Sequence, residues 1–318
     1  MLETREMQES RKASNARRID THAHLVPDFY RQWLAGKGVD AGGLPIPIWS
    51  VQSTLQFMQE NEIETSILSV AEPGVEPGEL NETRQMARRL NEFAARVVAE
   101  NPSRFGFLAT LMLPDVDGSL AEAAYAFDHL HADGVILYAN SQGVYLGDPK
   151  FDPLMDELNR REAVIFVHPS ELAGNTVPGI PPYVADFLLD SVRAAINLSH
   201  TGVMDRCPNI KVILSHAGGF LPYCAVRMSM HASPKSSLED GLRILRRFYF
   251  DTALASTKFS MPSLLAFADP SHITYGSDFP YAPSAIGSMF TKELEGYRDA
   301  DHPSIDRGNA VQLFPRLA

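Results

Sequence analysis

Cysteine is scarce in this chain. Cys207 and Cys224 are the only two in 318 residues, and they form no CxxC pair. That excludes a thiolate zinc site and a disulfide framework, and makes a reducing cytoplasm the expected compartment. Long apolar runs are also missing. No stretch approaches the ~20 residues of a membrane-spanning helix, so no membrane partner is expected. Basic residues are outnumbered, 28 against 39, for a net charge of −11. An acidic surface repels phosphate backbones, so nucleic acid is not an expected partner and a small-molecule substrate is. Residues 1–16 are polar and lack the apolar core of a secretory leader; they read as a lead-in to a single domain over residues 1–318. No GxGxxG follows the first apolar run, which argues against a dinucleotide site. Internal repeats, low-complexity tracts and linkers are absent.

What the chain has is alternation. Hydrophobic residues make up 45% of it, enough for a large core. Short apolar runs at Arg18–Asp20, Thr65–Val70, Arg104–Leu111, Val135–Tyr138, Val164–His168, Lys211–His216, Phe248–Thr252 and Ile273–Asp278 predict eight strands. Amphipathic segments between most of them predict helices: Val51–Asn61, Leu80–Glu100, Ser119–His131, Phe151–Arg161, Tyr183–Arg206, Leu238–Arg246 and Met261–Ala268. Eight β–α units with strands buried on both faces predict a parallel sheet closed into a (β/α)8 TIM barrel. The Gly- and Pro-rich segment Asp28–Ser50 is too long for a plain βα loop and predicts an insertion over the barrel mouth.

The polar residues that stand out lie at the C-terminal ends of strands, where barrels carry their active sites. His22 and His24 follow the first run. Residues two apart on an extended chain share a face, about 6–7 Å apart, so both imidazoles can meet one metal ion. His168, His216 and Asp278 close the fifth, sixth and eighth runs. A lone histidine after a strand is more often structural than a ligand, but three further polar ends on strands five, six and eight beside the His22–His24 pair are hard to place by chance. A mixed nitrogen and oxygen donor set suits Zn²⁺, and also Mn²⁺ or Fe²⁺. His129, His131, His200, His272 and His302 lie on helices, before strand eight or in the C-terminal region, and read as structural or solvated.

The motifs Ile19-Asp20-Thr21-His22-Ala23-His24, Val167-His168-Pro169, Leu214-Ser215-His216-Ala217-Gly218-Gly219, Tyr275-Gly276-Ser277-Asp278-Phe279-Pro280 and Gly308-Asn309-Ala310 stand together here. With them the chain resembles the amidohydrolase superfamily, in the branch of aminocarboxymuconate-semialdehyde decarboxylase and the non-oxidative aromatic acid decarboxylases. The resemblance covers nearly the whole chain from Arg18. It implies metal ligands at His22, His24, His168 and Asp278, and acid–base chemistry at His216. It also implies a homodimer in which Arg227 reaches a neighbouring subunit's substrate carboxylate. Members with two metals carry a lysine at the end of strand four; Val135–Tyr138 has none, so a single ion is implied, Zn²⁺ first and Mn²⁺ as the alternative, with no organic cofactor. The substrate arginine of the semialdehyde decarboxylase is missing from Leu44–Ser50, where Trp49 and prolines stand. The resemblance is closest to 6-methylsalicylate decarboxylase-like proteins. It implies decarboxylation of a small aromatic carboxylate, with Asp278 delivering a proton to the ring carbon and Trp49, Tyr138 and Tyr281 as candidates to hold the ring. The same ligands would serve hydrolysis of a lactone, amide or ester, which is the alternative; a barrel that binds without catalysing is a more distant one.

Overall fold

The computed structural model describes residues 17–172, 174, 177–232 and 237–318; the polar lead-in at 1–16 lies outside them. Eight strands pair in chain order: β1 (Arg18–His24), β2 (Ile63–Ser69), β3 (Phe105–Thr110), β4 (Gly134–Tyr138), β5 (Val164–His168), β6 (Lys211–Leu214), β7 (Tyr249–Asp251) and β8 (Ile273–Thr274). Each neighbouring pair is parallel. The segment after β8 returns to β1: the Thr21 amide donates to the Tyr275 carbonyl at 2.9 Å and the His24 amide to the Phe279 carbonyl at 2.7 Å. The sheet is therefore a closed (β/α)8 barrel, as the alternation predicts.

Strand parity divides the core. Ile67, Leu108, Ile136, Phe166 and Ile213 form one buried cluster with Ile19 and with Leu313, Phe314 and Leu317 of the C-terminal segment, which plugs the barrel from below. The alternate residues Leu68, Ala109, Leu137, Val167 and Leu214 belong to the cluster under the helices. The helix Leu80–Glu100 shows the matching stripe: Met86, Leu90, Ala94 and Val97 are buried at helical spacing. β1 breaks strict parity. Asp20 pairs with Ser66 but Ala23 with Leu68, so β1 carries one extra residue there. Such a bulge re-aims side chains; it lets Ile19 sit in the barrel interior and still turns His22 and His24 toward the axis.

Three helices of ten residues or more escape the sequence reading: Asp28–Lys37, Leu221–Ala232 and Ser284–Gly296. The first occupies the front of the segment read as an irregular insertion, and ends at Gly38 in the left-handed region (φ 68°). The Gly/Pro density that suggested a loop begins only after it. The irregular remainder does reach the mouth. There Gly42 lies so close to Phe187 that a β-carbon would fall 2.3 Å from the ring, so only glycine fits.

Candidate metal centre

His22, His24, His168 and Asp278 are all buried and each offers one ligand atom, all within 4.8 Å of one another. His22 Nε2 and His24 Nε2 are 3.0 Å apart. Asp278 Oδ1 lies 3.3 Å from the first and 3.2 Å from the second. The phenyl ring of Phe166 forms the floor, edge-on to His22 with centroids 4.8 Å apart.

The outer partners show that these groups fit a cation. His22 Nδ1 donates to Asp251 Oδ2 at 2.7 Å, His24 Nδ1 to Ser69 Oγ at 3.0 Å and His168 Nδ1 to the Pro169 carbonyl at 2.8 Å. Each ring is thereby fixed in the tautomer that turns a bare Nε2 lone pair to the centre, the arrangement expected of metal-binding histidines. Asp278 Oδ1 is buried without a hydrogen-bond donor. Buried charge of that kind is kept only where something positive meets it. Burial depresses the pKa of His24, and that of His168 falls well below the imidazole range for the same reason, with His24 and His22 adding repulsion. Both rings are thus neutral and able to ligate. His22 behaves differently: burial opposes its charge, but Asp251 and Asp278 outweigh burial and raise its pKa to about 10. Two carboxylates demand one positive charge at this point, and a bound cation would take the proton's place.

The backbone leaves the strands abruptly here. His216, Ala217 and Asp278 adopt left-handed φ values of 54°, 55° and 60°. Such conformations are costly for residues with side chains and gather at functional sites. They explain why β6 and β8 end before the residues that the apolar runs led up to. Two contacts hold the turns: the His216 amide donates to Asp251 Oδ1 at 2.9 Å and the Asp278 amide to the His22 carbonyl at 2.8 Å. Gly276 allows the close approach, since a β-carbon there would lie 2.9 Å from His22 Cβ. His216 Nε2 stands 3.4 Å from Asp278 Oδ2, and its Nδ1 is buried without a partner. Asp278 therefore turns one oxygen to the ligand cluster and the other to His216. Burial pushes the Asp278 carboxyl up, but positive charge on His22 and the close His216, His22 and His24 rings hold it well below the usual carboxylate range.

Comparison with known proteins agrees with this geometry. Residues 19–316 match the amidohydrolase family. The chain belongs to that family. This amidohydrolase is 38% identical to a protein named Decarboxylase yanB from Aspergillus niger, with 94% of this chain and 88% of that one covered. It is 36% identical to the 6-methylsalicylic acid decarboxylase of Penicillium expansum, covering 94% and 97%. Among solved structures, one described as an amidohydrolase superposes with a TM-score of 0.88 at 31% identity, covering 94% of this chain and 99% of that one.

Above the ligands of this amidohydrolase opens a cavity of about 650 Å³. His168, His216 and Asp278 face it, with Leu44, Phe187 and Ile286 among its apolar wall residues, and no lysine or arginine lines it among the described residues. Of the residues expected to hold substrate, Tyr281 lines the cavity, its ring packed 5.5 Å from that of His24. Trp49 does not: it is buried against Phe93, ring centroids 6.1 Å apart. Tyr138 stands behind His168, 6.5 Å ring to ring, with its hydroxyl donating to the Val70 carbonyl at 2.7 Å. Both stand outside the lining because Phe93 and the Val70 carbonyl already give them an apolar and a backbone partner. Arg227 is exposed on the helix Leu221–Ala232. The histidines read as structural stay away from the cluster; His200, His272 and His302 bond to the carbonyls of His231, Arg246 and Tyr297. Two residues went unnoticed in the sequence. Asp251 is the charged residue near the end of the seventh apolar run and the last residue of β7, so the signal was there. Glu72 sits in a loop, where no periodicity marks it.

Proposed function

We propose that this amidohydrolase is a non-oxidative decarboxylase of a small hydroxybenzoate-type acid, such as 6-methylsalicylate. The observation that carries this reading is a buried His₃Asp cluster at the floor of a largely apolar cavity, in a chain that resembles named decarboxylases along 94% of its length. The substrate comes from that likeness and from the apolar wall, which suits a methyl-bearing ring. The whole of residues 1–318 is taken as one catalytic domain. The free cysteines Cys207 and Cys224 fit a reducing compartment such as the cytoplasm.

His22, His24, His168 and Asp278 would hold one divalent ion, with Zn²⁺ favoured by three nitrogens and one oxygen and Mn²⁺ as the alternative. When bound, the ion supplies positive charge against which the carboxylate and the neighbouring phenol oxygen are held. The protein's own groups move the proton. Asp278, a carboxylate at rest, accepts the phenol proton on Oδ2 and passes it to the ring carbon that bears the carboxylate. The bond from that carbon to the carboxylate then breaks, its electron pair returns to the ring, and CO₂ leaves. His216 steadies Asp278 Oδ2 and hands to the phenolate product a proton taken up from solvent, so that one solvent proton is consumed per CO₂ released. The apolar wall keeps water from competing.

With no lysine or arginine in its wall among the described residues, the cavity offers no second counter-charge for the carboxylate there. The helix Leu221–Ala232 exposes Tyr223, Val226 and Met230 beside Arg227 on one face, at 81%, 60% and 58% for the three apolar residues. An apolar face of that kind fits an interface. We infer a homodimer through this helix, with Arg227 reaching the neighbouring copy's cavity. Light scattering should give twice the protomer mass, and Arg227→Ala should raise KM about tenfold or more; a fully active monomer removes this role.

The test of function is product analysis. Zinc-loaded protein incubated with salicylate, 6-methylsalicylate and dihydroxybenzoates should release CO₂ from at least one acid. Release should stop after chelation and return with Zn²⁺ or Mn²⁺. Hydrolysis of lactones or esters with no CO₂ from any acid would establish the hydrolase alternative instead.

A further inference from the structure

One carboxyl group in the cavity wall has no part in the chemistry above. Glu72 lies three residues beyond β2, at the barrel mouth, and is 9% exposed. It lines the cavity over the metal centre and also a second, open cleft lined by Asp40, Glu76 and Glu171. Around it the main cavity is Ala41, Leu44, Ala71, Phe187 and Ile286. Among the described residues no lysine or arginine forms an ion pair with it. Burial and the nearby Glu76 raise its pKa well above the carboxylate range, while the Glu171 amide donates to it. Burial and the neighbouring acid thus favour the protonated form of the Glu72 carboxyl. Such a group has one donor and several acceptor positions, more than one amide fills. A polar group held in an apolar wall costs free energy unless something bonds to it. The acidic neighbours rule out an anionic ligand group at this point.

We propose that Glu72 is a specificity-determining residue whose carboxyl group exchanges a hydrogen bond with a ring hydroxyl remote from the substrate's carboxylate. Among the hydroxybenzoate-type acids proposed above, those with a further phenolic hydroxyl are then preferred over 6-methylsalicylate itself. This rests on the decarboxylase reading for its substrate, though not for its contact. A site built to bond a hydroxyl discriminates against the analogue without it, because its own polar group is then left unpaired.

The experiment compares 6-methylsalicylate with its 3-, 4- and 5-hydroxy derivatives. The protein should show kcat/KM about tenfold higher or more for one hydroxylated acid over the parent. Glu72→Leu should reduce that ratio about tenfold, and the isosteric Glu72→Gln about threefold. Binding of 3-methylphenol and its hydroxylated derivatives to zinc-loaded protein, measured by calorimetry, gives the same ratio without turnover. If no acid releases CO₂ but the phenol preference is present and falls in the variants, the decarboxylase reading fails and the Glu72 contact stands. No preference for any hydroxylated ligand in the unaltered protein overturns the proposal. So does an unchanged ratio in either folded variant.

Discussion

Asp278→Asn should reduce kcat for CO₂ release by about 10³-fold or more while the barrel stays folded. Two losses combine in that one change. The amide cannot carry a proton, so Oδ2, 3.4 Å from His216 Nε2, no longer serves as the relay to the ring carbon. The amide also brings no negative charge to the point where Oδ1 faces His22 and His24 at 3.3 and 3.2 Å, so metal affinity falls as well. Elemental analysis, circular dichroism and steady-state kinetics on the same preparation separate the two. The expected result is a folded protein with reduced metal content whose activity stays low even in excess Zn²⁺. Full recovery at high metal concentration would limit Asp278 to a ligand and remove its role in proton transfer.

His216→Asn gives the complementary result: kcat lower by about 10²- to 10³-fold with metal content unchanged. His216 stands outside the four-residue ligand group, and its contact is to the far oxygen of Asp278. Replacing it leaves the three Nε2 lone pairs and Oδ1 in place. The left-handed turn at His216, φ 54°, is tolerated by asparagine better than by most residues, so the variant should keep the backbone. Loss of the metal in His216→Asn would make His216 a ligand, contrary to its assignment.

Much of this was legible from periodicity. A polar side chain that closes a buried apolar run faces the barrel mouth, as His168, His216 and Asp278 do. The rule holds because parallel-barrel strands are buried on both faces and tolerate few polar residues. Parity on β1 was less secure. His22 and His24 do share a face, but an unbroken alternation would have set them opposite Ile19, and the bulge between Asp20 and Ala23 leaves no mark in the sequence. Trp49 and Tyr138 show the limit in the other direction. Aromatic character near the mouth says nothing of which neighbour a ring will find, and Phe93 and the Val70 carbonyl claimed them. The helix Asp28–Lys37 was hidden by averaging its composition with the glycines that follow. Glu72 depends on long-range packing of a loop, which no local pattern encodes.

The barrel is completed where its ends meet. β1 opens the fold and the segment after β8 closes it, joined by Ala23 bridging Phe279 and by backbone bonds from Thr21, His24 and Asp278. Three of the four ligands stand astride that seam, His22 and His24 on one side and Asp278 on the other. A cation held there would act as a rivet, fastening together stretches of chain that are 256 residues apart in the sequence (278 − 22). Loading the centre would then set the circumference of the barrel as well as its chemistry, and an empty centre would leave the fold weakest along the line where the polypeptide begins and ends its circuit.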